Sequence, residues 1–214
     1  MTQTLRLYHH PMSSCSTRVR MAAHHLGLPL DLVSVDLAAG EQRGAAFGRL
    51  NPNHQVPVLV HGELVLWESY AILQYLAEQA PGQTLYPPAP AARADVNRWL
   101  FWCGQVFMPG MTILNWENAI KPMLGLGAPD PAEVQRAEAL LRRAAELLDA
   151  HLAGRQWLCA SGLSLADWAI AAPLADAGRA RLPIGGLPQL AAWFDRVRAL
   201  PAWAAVHQPA TAPA

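Results

Sequence analysis

The sequence has few charged residues and no excess of either sign. Of its 214 residues, 16 are Lys or Arg and 16 are Asp or Glu, so the formal net charge is zero. Proteins that bind nucleic acid or an anionic membrane surface usually carry a clear excess of basic residues. We therefore expect neither a nucleic-acid nor a membrane partner.

Long apolar runs are also missing. No uninterrupted stretch approaches the roughly 20 apolar residues that a bilayer-spanning helix needs. The N-terminal residues MTQTLRLYHH contain no basic region followed by an apolar one, so we expect no signal peptide.

Cysteine is scarce, and its spacing excludes two kinds of site. The three cysteines, Cys15, Cys103 and Cys159, are odd in number and lie far apart. This pattern forms neither a disulfide framework nor a C-x-x-C redox pair, and it predicts a reducing, cytoplasmic setting. The histidine pairs 9–10 and 24–25 are adjacent in sequence, so their side chains point to different faces. With no spaced set of Cys and His ligands, we expect no metal site.

What the first part of the chain does contain is an alternation of strand and helix patterns. Period-two alternation predicts strands, helical spacing predicts helices, and HGE between two apolar runs predicts a hairpin. The predicted elements are strands at 4–8 and 28–37, a helix at 14–26 stopped by Gly27, a loop at 38–55, a hairpin at 56–67 and a helix at 69–79. This order gives a parallel strand pair extended by an antiparallel hairpin.

The rest of the chain shows helical patterns. A proline-rich stretch divides it from the first part, so we predict domains at 1–80 and 93–208, a linker at 81–92 and a disordered tail at 209–214. Val96, Leu100, Cys103 and Phe107 repeat at helical spacing. Residues 164–167, SLAD, form a capping box. Pro188 is expected to begin the last helix and Pro201 to end it after Leu200.

The sequence SSCSTR, from Ser13 to Arg18, raises three alternatives for its first residues. It begins a helix directly after a strand, where helix N-termini stabilise anions and lower the pKa of thiols. Ser13 is a helix cap, a nucleophile, or a donor to a bound anion, and Cys15 is a candidate redox thiol. No His/Asp partner is evident that would activate Ser13 as a nucleophile.

Two further motifs would suit a small peptide-like ligand. In QVP (55–57), Pro57 opens a strand and requires a turn or an edge, which is compatible with a cis bond. The backbone of Val56 could then pair with a short extended peptide. In the second motif, Ser69 begins a helix next to the negative Glu68, which suits an α-amino-acid head group. Taken singly, each of these residues is an ordinary cap or turn residue.

These motifs together resemble cytosolic glutathione S-transferases over nearly the whole chain. Residues 50–78 are similar to the family's glutathione-site signature, and residues 164–174 resemble its N-capping box. Residues 105–130 are similar to the phi class, while 13–22 resemble the zeta class except at Thr17. The class therefore stays open among serine-type, phi-, zeta- or theta-like bacterial members. The resemblance implies an α/β thioredoxin-like N-terminal domain (β-α-β-α-β-β-α) followed by an all-α helical bundle.

The resemblance also implies site residues. Ser13, with Ser14 as its competitor, matches the catalytic hydroxyl. The residues that match glutathione contacts are Gln42, Arg43, Gln55, Val56, Pro57, Glu68 and Ser69. At Gln42 and Arg43 the phi pattern commonly has His-Lys, which implies a different hold on the glycine carboxylate of glutathione. The residues expected to line an apolar pocket between the domains are His10, Met12, Phe107, Met111, Asn115 and Trp116.

The function implied is glutathione transfer. Glutathione would be the co-substrate, no metal would take part, and its thiolate would attack a small hydrophobic electrophile. A homodimer is expected as well. The alternatives are a glutathione-dependent isomerase, a peroxidase or thiol transferase that uses Cys15, and a non-catalytic scaffold that binds glutathione.

Overall fold

The computed structural model describes residues 4–207, which form two compact units. Residues 4–86 and 198–207 make the first unit, and residues 87–197 make the second. The division between Tyr86 and Pro87 lies inside the stretch predicted as a linker, 81–92. The domain boundaries at 80 and 93 stay a prediction, and the predicted tail, 209–214, lies outside the described residues.

The first unit contains a four-stranded sheet with helices. Its elements are β1 Leu5–His9, α1 Ser14–His25, β2 Leu30–Ser34, a 3-10 turn Glu41–Arg43, α2 Ala45–Leu50, β3 Val58–His61, β4 Leu64–Trp67, α3 Ser69–Gln79 and, at its end, α10 Pro201–His207. The order β-α-β-α-β-β-α is thus confirmed. The loop predicted at 38–55 is wrong for 45–50, because α2 is short and buries only Phe47, which leaves no periodic pattern to detect.

The strand order is β2-β1-β3-β4. β1 pairs parallel with β2 and antiparallel with β3, and β3 pairs antiparallel with β4. Tyr8 lies opposite Val58, and Val58 lies opposite Trp67. One end of the sheet therefore contains the ends of β1, β2 and β4 and the beginning of β3. We call this end of the strands the sheet edge.

Helices cover both faces of this sheet. Alternation along β1 places Leu5 and Leu7 toward one face, where α1 and α3 pack. This cluster consists of Leu5, Leu7, Val19, Ala23, Leu59, Ile72 and Leu76. On the opposite face, Phe47 of α2 packs with Val35 and Val58. The alternating pattern of the sequence therefore separates two cores, one on each side of the sheet.

The end of the chain differs from its prediction. Helix α9, Pro188–Arg198, ends before Pro201, and Pro201 begins α10, which packs against α1 within the first unit. Proline is favoured in the first turn of a helix because the N–H it lacks would have no intrahelical partner there. The expectation that Pro201 only closes the last helix was therefore wrong.

The second unit is helical, as predicted. Its elements are α4 Pro90–Trp102, α5 Met108–Asn115, α6 Lys121–Met123, α7 Pro131–Leu152, α8 Leu165–Leu174 and α9, with π-helical turns at Cys103–Phe107 and Trp116–Ile120. The four residues predicted to repeat at helical spacing are fully buried, which confirms the pattern: Val96, Leu100, Cys103 and Phe107. Over residues 4–207, no helix has the length and apolar character to cross a membrane.

A buried carboxylate organises the second unit. Asp167 of α8 accepts hydrogen bonds from the Leu158 and Ser164 amides, the Ser164 hydroxyl and the Trp193 indole, at 2.8–3.1 Å. The predicted capping box of Ser164 and Asp167 is confirmed. Burial raises the pKa of the Asp167 carboxyl, while its four hydrogen bonds lower it. The group thus ties the start of α8 to the preceding loop and to α9.

Candidate functional site

Ser13 caps helix α1 at the end of the loop that follows β1. Its backbone is extended, and its Oγ accepts the amide hydrogen of Ser16 at 3.2 Å. Its own amide donates to the carbonyl of His10 at 3.0 Å. A hydroxyl has one proton and two lone pairs. The cap uses a lone pair, so the Ser13 proton remains available for an acceptor beside the helix.

The first turn of α1 favours an anion. It contains no acidic residue, and the amide groups of a helix's first turn carry partial positive charge. Ser14 is the first helical residue and is half-buried, as is Cys15. The hydroxyl of Ser16 points back to accept the amide hydrogen of His10 at 3.4 Å. These contacts fix the loop 10–16 and the direction in which the helix begins.

The turn before β3 is held by Asn51. Its side-chain amide donates to the carbonyl of Gln55 at 2.7 Å, and its side-chain oxygen accepts the amide hydrogen of Asn53 at 2.9 Å. Pro57 is buried, and the Val56–Pro57 peptide bond is cis, the geometry with which the sequence is compatible. Val56 is therefore presented by a fixed turn at the sheet edge.

The junction between β4 and α3 has an unusual backbone. Glu68 has a positive φ of 74° and precedes α3 without capping it by its side chain. Non-glycine residues rarely adopt positive φ, and such residues cluster at functional sites. Ser69, the first residue of α3, is buried, whereas Glu68 is exposed. The turn thus separates an exposed carboxylate from a buried hydroxyl.

Sequence reasoning missed Arg18. Its side chain is fully buried, and its guanidinium donates to the Ser69 hydroxyl at 3.4 Å. The same guanidinium lies 4.7 Å from the centre of the Tyr70 ring. A signal existed in the sequence, since Arg18 stands next to Val19 on the side of α1 that the apolar spacing marks as buried. A charged residue there needs a partner across the core.

Sequence reasoning also missed the burial of His9, because it considered this residue only as one of a pair of histidines. Alternation along β1 places it on the same face as Leu7, and it is 6% exposed. Burial lowers its pKa from 6.5 to about 4, with smaller effects from Arg20 and His10. Within residues 4–207, Nδ1 of His9 has no hydrogen-bond partner. A neutral histidine therefore lies at the end of β1, four residues before Ser13.

The remaining predicted glutathione residues lie between β2 and β3. Gln42 and Arg43 belong to the 3-10 turn, where Gln42 is half-buried and Arg43 is exposed. The carbonyl of Gln42 contacts Nδ1 of His54 at 2.8 Å. Gln55, directly after His54, is exposed. His54 thus connects the two segments that carry these predicted contacts.

The residues predicted for the apolar pocket lie in both units. In the first unit, Nδ1 of His10 accepts the amide hydrogen of Met12 at 3.2 Å, and Met12 is exposed. In the second unit, Phe107 and Met111 are buried, Asn115 is half-buried and Trp116 is exposed. Their shared role as a pocket stays a prediction.

The sheet register brings the main predicted groups to one edge. Ser13 follows the end of β1, Pro57 precedes β3, and Ser69 follows β4, and these strand ends are paired side by side. The contact of Arg18 with Ser69 joins α1 to α3 at the same place. Among the described residues, no group of three or more His, Cys, Asp or Glu side chains could hold a metal ion.

Comparison with known proteins identifies the family to which the chain is similar. Residues 3–78 match the family model described as "Glutathione S-transferase, N-terminal domain", and residues 131–196 match "Glutathione S-transferase, C-terminal domain". Glutathione S-transferase 3 of Zea mays is 35% identical over 204 residues, which cover 93% of this chain and 91% of the relative.

Solved structures agree with these matches. Glutathione transferase F7 from Populus trichocarpa has a TM-score of 0.86 at 28% identity, covering 95% of this chain and 97% of its own. The theta class glutathione S-transferase from Xanthomonas axonopodis pv. citri, solved with glutathione bound, has a TM-score of 0.87 at 31% identity and covers 98% and 100%. This chain belongs to the glutathione S-transferase family.

Proposed function

We propose that this glutathione transferase activates the thiol of glutathione at the start of α1 and joins it to a small hydrophobic electrophile. The observation that carries the proposal is the cap at Ser13. Its Oγ accepts the amide hydrogen of Ser16 at 3.2 Å, so its own proton is free for the glutathione sulfur. The Ser13 hydroxyl would then both cap the helix and activate the thiol.

The energy required is modest. A free thiol has a pKa of about 8.5, and lowering it by about two units takes about 2.7 kcal/mol. A hydrogen bond to a charged group contributes about 1.5–3 kcal/mol, and a helix N-terminus contributes about 0.3–1 kcal/mol. The Ser13 hydroxyl and the first turn of α1 together therefore suffice. The thiol proton leaves to solvent, and Ser13 keeps its own.

The other groups at the sheet edge would bind the rest of glutathione. The exposed carboxylate of Glu68 suits the ammonium group of the γ-glutamyl end, and Ser69 suits its carboxylate. The backbone of Val56, held before the buried Pro57, suits the cysteinyl amide and carbonyl groups. Gln42, Arg43 and Gln55 would hold the glycine end. The fixed turns at Asn51 and Glu68 support this assignment because they leave these groups little freedom to reorient.

The reaction then forms one bond from sulfur to an electrophilic carbon. The electron pair of the thiolate makes this bond. The displaced electron pair leaves with the leaving group of the acceptor, or stays on the ring oxygen if the acceptor is an epoxide. An apolar site favours such an acceptor because it excludes water from the thiolate. The residues proposed to line it are His10, Met12, Phe107, Met111, Asn115 and Trp116.

The alternative activities are less well supported. The relatives reported above are named as transferases, and an isomerase of the zeta type would have an aromatic residue or histidine at Thr17. A thiol transferase would have to use Cys15, which is one residue inside α1 and half-buried. A scaffold has no need for the combination of Ser13, a fixed Val56 turn and the Glu68 junction.

The test is a titration of bound glutathione. In Ser13→Ala, thiolate absorbance should appear at a pH about one to two units higher than in the wild type, because one charge-assisted hydrogen bond is lost. Ser14→Ala is the matched neighbour and should titrate as the wild type does. The reverse result would transfer the role to Ser14, and an unchanged titration in both would remove the hydroxyl from the mechanism.

We also propose that the protein works as a homodimer in the cytoplasm. The edge strand β4 exposes Leu64 and Val65, each 39% exposed, and exposed apolar edges usually have a partner. The three cysteines are free thiols, which suits a reducing compartment. Sedimentation should give a dimer that Val65→Glu weakens. Leu32→Glu, on the opposite edge strand β2, is the control, and a monomeric wild type would contradict the proposal.

A further inference from the structure

His54 occupies a backbone conformation that normally belongs to glycine. Its φ is +56°, and its amide donates to the carbonyl of Asn51 at 3.0 Å, which closes the turn before Gln55. Left-handed backbone is costly for residues with a Cβ, although His is among those that tolerate it best. A strained residue persists where the surrounding structure holds it, and such strain often marks a functional position.

The imidazole of His54 makes a specific contact with the 3-10 turn. Its Nδ1 lies 2.8 Å from the carbonyl oxygen of Gln42. Because a carbonyl oxygen only accepts hydrogen bonds, Nδ1 carries a proton and donates it. The contact joins positions 12 residues apart in sequence. It therefore fixes the turn that contains Gln42 and Arg43 relative to the turn that ends at Gln55.

The space for this ring is provided by a glycine in α2. A Cβ atom at Gly48 would lie 2.9 Å from Cε1 of the His54 ring and 3.6 Å from its Nδ1. The first distance is shorter than a normal carbon contact, so any other residue at position 48 would displace the ring. The ring is thus seated against the backbone of α2 while its Nδ1 reaches Gln42.

The 3-10 turn has a second anchor on its other side. Glu41 donates its amide hydrogen to the carbonyl of Asp36 at 3.0 Å, and its side-chain carboxylate accepts the amide hydrogen of Asp36 at 2.8 Å. Two anchors, Asp36 at Glu41 and His54 at Gln42, restrain a short turn better than one. Removal of the His54 contact takes away the anchor at Gln42.

We propose that His54 is a positioning residue for the glycine end of glutathione. It holds Gln42 and Arg43 at a fixed distance from Gln55, so that the three side chains face one glycyl carboxylate together. This role rests on the proposed function, since it concerns the site that binds glutathione. His54 acts through the turn and does not touch the reacting sulfur.

The test replaces His54 by Gly and compares two thiols, glutathione and γ-glutamylcysteine, which lacks the glycine. Gly removes the imidazole and adopts positive φ without strain, so the unfolding midpoint should stay the same or rise. The KM for glutathione should rise about 3- to 10-fold. This is the effect expected when the loosened turn loses one hydrogen bond to the glycyl carboxylate. The KM for γ-glutamylcysteine and both kcat values should stay within about two-fold, because the cysteinyl and γ-glutamyl contacts are intact.

Arg181→Gly is the matched control. Arg181 also has a positive φ, 52°, is exposed, and belongs to the second unit, so this variant relieves similar strain and should change neither KM. Equal KM increases for both thiols in His54→Gly, or no increase for either, would overturn the role of His54.

A second measurement does not depend on glutathione. The amides of Arg43 and Gly44 donate within the turn, to Gly40 and Glu41, and their hydrogen exchange should be faster in His54→Gly than in the wild type. Unchanged exchange would overturn the clamp. If the wild type used neither thiol, the proposed function would fail, and exchange would still decide whether His54 holds the turn.

Discussion

The guanidinium of Arg18 donates to the hydroxyl of Ser69 at 3.4 Å, in a buried contact between α1 and α3. Ser69 then accepts from Arg18 and keeps its own proton for an acceptor at the sheet edge. The same guanidinium lies over the ring of Tyr70. A positive charge thus stands directly behind the hydroxyl that we assign to the γ-glutamyl carboxylate.

Arg18→Met should lower both stability and glutathione affinity. The variant leaves the buried Ser69 hydroxyl without its donor, at about 1–3 kcal/mol, and loses the contact with Tyr70, at about 1–2 kcal/mol. We expect the free energy of unfolding to fall by about 2–4 kcal/mol, measured by urea denaturation. The KM for glutathione should rise, because the positive charge behind Ser69 is gone.

The control is Arg6→Met. Arg6 pairs with Asp31 at 2.7 Å, but the two side chains are 51% and 42% exposed. Exposed ion pairs contribute about 0–1 kcal/mol, so this variant should stay close to the wild type. An Arg18→Met protein as stable as Arg6→Met would contradict the importance of the buried contact.

Ser13→Asp separates the capping role of Ser13 from its role toward sulfur. Aspartate caps helices as well as serine does, whereas Ser13→Ala should cost about 1 kcal/mol of stability. A carboxylate next to the glutathione sulfur repels a thiolate and has no proton to donate. We therefore expect wild-type stability but strongly reduced kcat/KM in Ser13→Asp. Retention of activity in this variant would show that the sulfur contact is made elsewhere.

The buried His9 should make the protein less stable at acid pH. Its pKa is lowered from 6.5 to about 4, so between these values the unfolded chain binds a proton that the folded chain does not. Stability is therefore full above pH 6.5 and falls as pH decreases toward 4, by on the order of 3 kcal/mol in total. Urea midpoints at pH 7, 5.5 and 4.5 measure the effect.

His9→Leu is the matched variant for this pH dependence. It should be as stable as the wild type at pH 7 or more so, and its stability should fall less on acidification. A part of the dependence should remain, because burial also lowers the pKa of His25. The same loss of stability in both proteins would show that His9 is not its source.

Asp167 should be the most sensitive polar position of the second unit. Its replacement by Ala leaves four buried donors without an acceptor, and we expect a loss of about 3–5 kcal/mol. If Asp167→Ala does not fold, Asp167→Asn keeps one acceptor oxygen and should lose less. Urea denaturation of both variants measures the difference.

Asp149→Ala is the control for Asp167. Asp149 accepts the amide hydrogens of Gln189 and Leu190 at 2.7 and 2.9 Å but is only half-buried. The loss of this cap should cost about 1 kcal/mol. Similar losses in the Asp149 and Asp167 variants would contradict the central role of the buried carboxylate.

Local sequence chemistry predicted several elements with accuracy. Ser69 and Gln79 bound α3 as expected, Gly27 follows the end of α1, and the capping box of Ser164 and Asp167 forms as predicted. Each of these features depends on residues within one or two helical turns, so the local sequence is sufficient to predict it. Helix α2 follows from the family resemblance but not from the local pattern, because six residues with a single buried side chain show no period.

The sequence by itself determined the order of strands and helices from β1 to α3, the helix that Ser13 caps, and the family. Only the tertiary structure decided that Arg18 meets Ser69, that His9 is buried, and that His54 holds Gln42. These contacts join positions that lie far apart in the chain, or depend on which face a strand buries. The contact of Arg18 with Ser69 depends on the pairing of β1 with β3. That pairing joins segments that are distant in the sequence, so no local pattern specifies it, and it forms only when the sheet does.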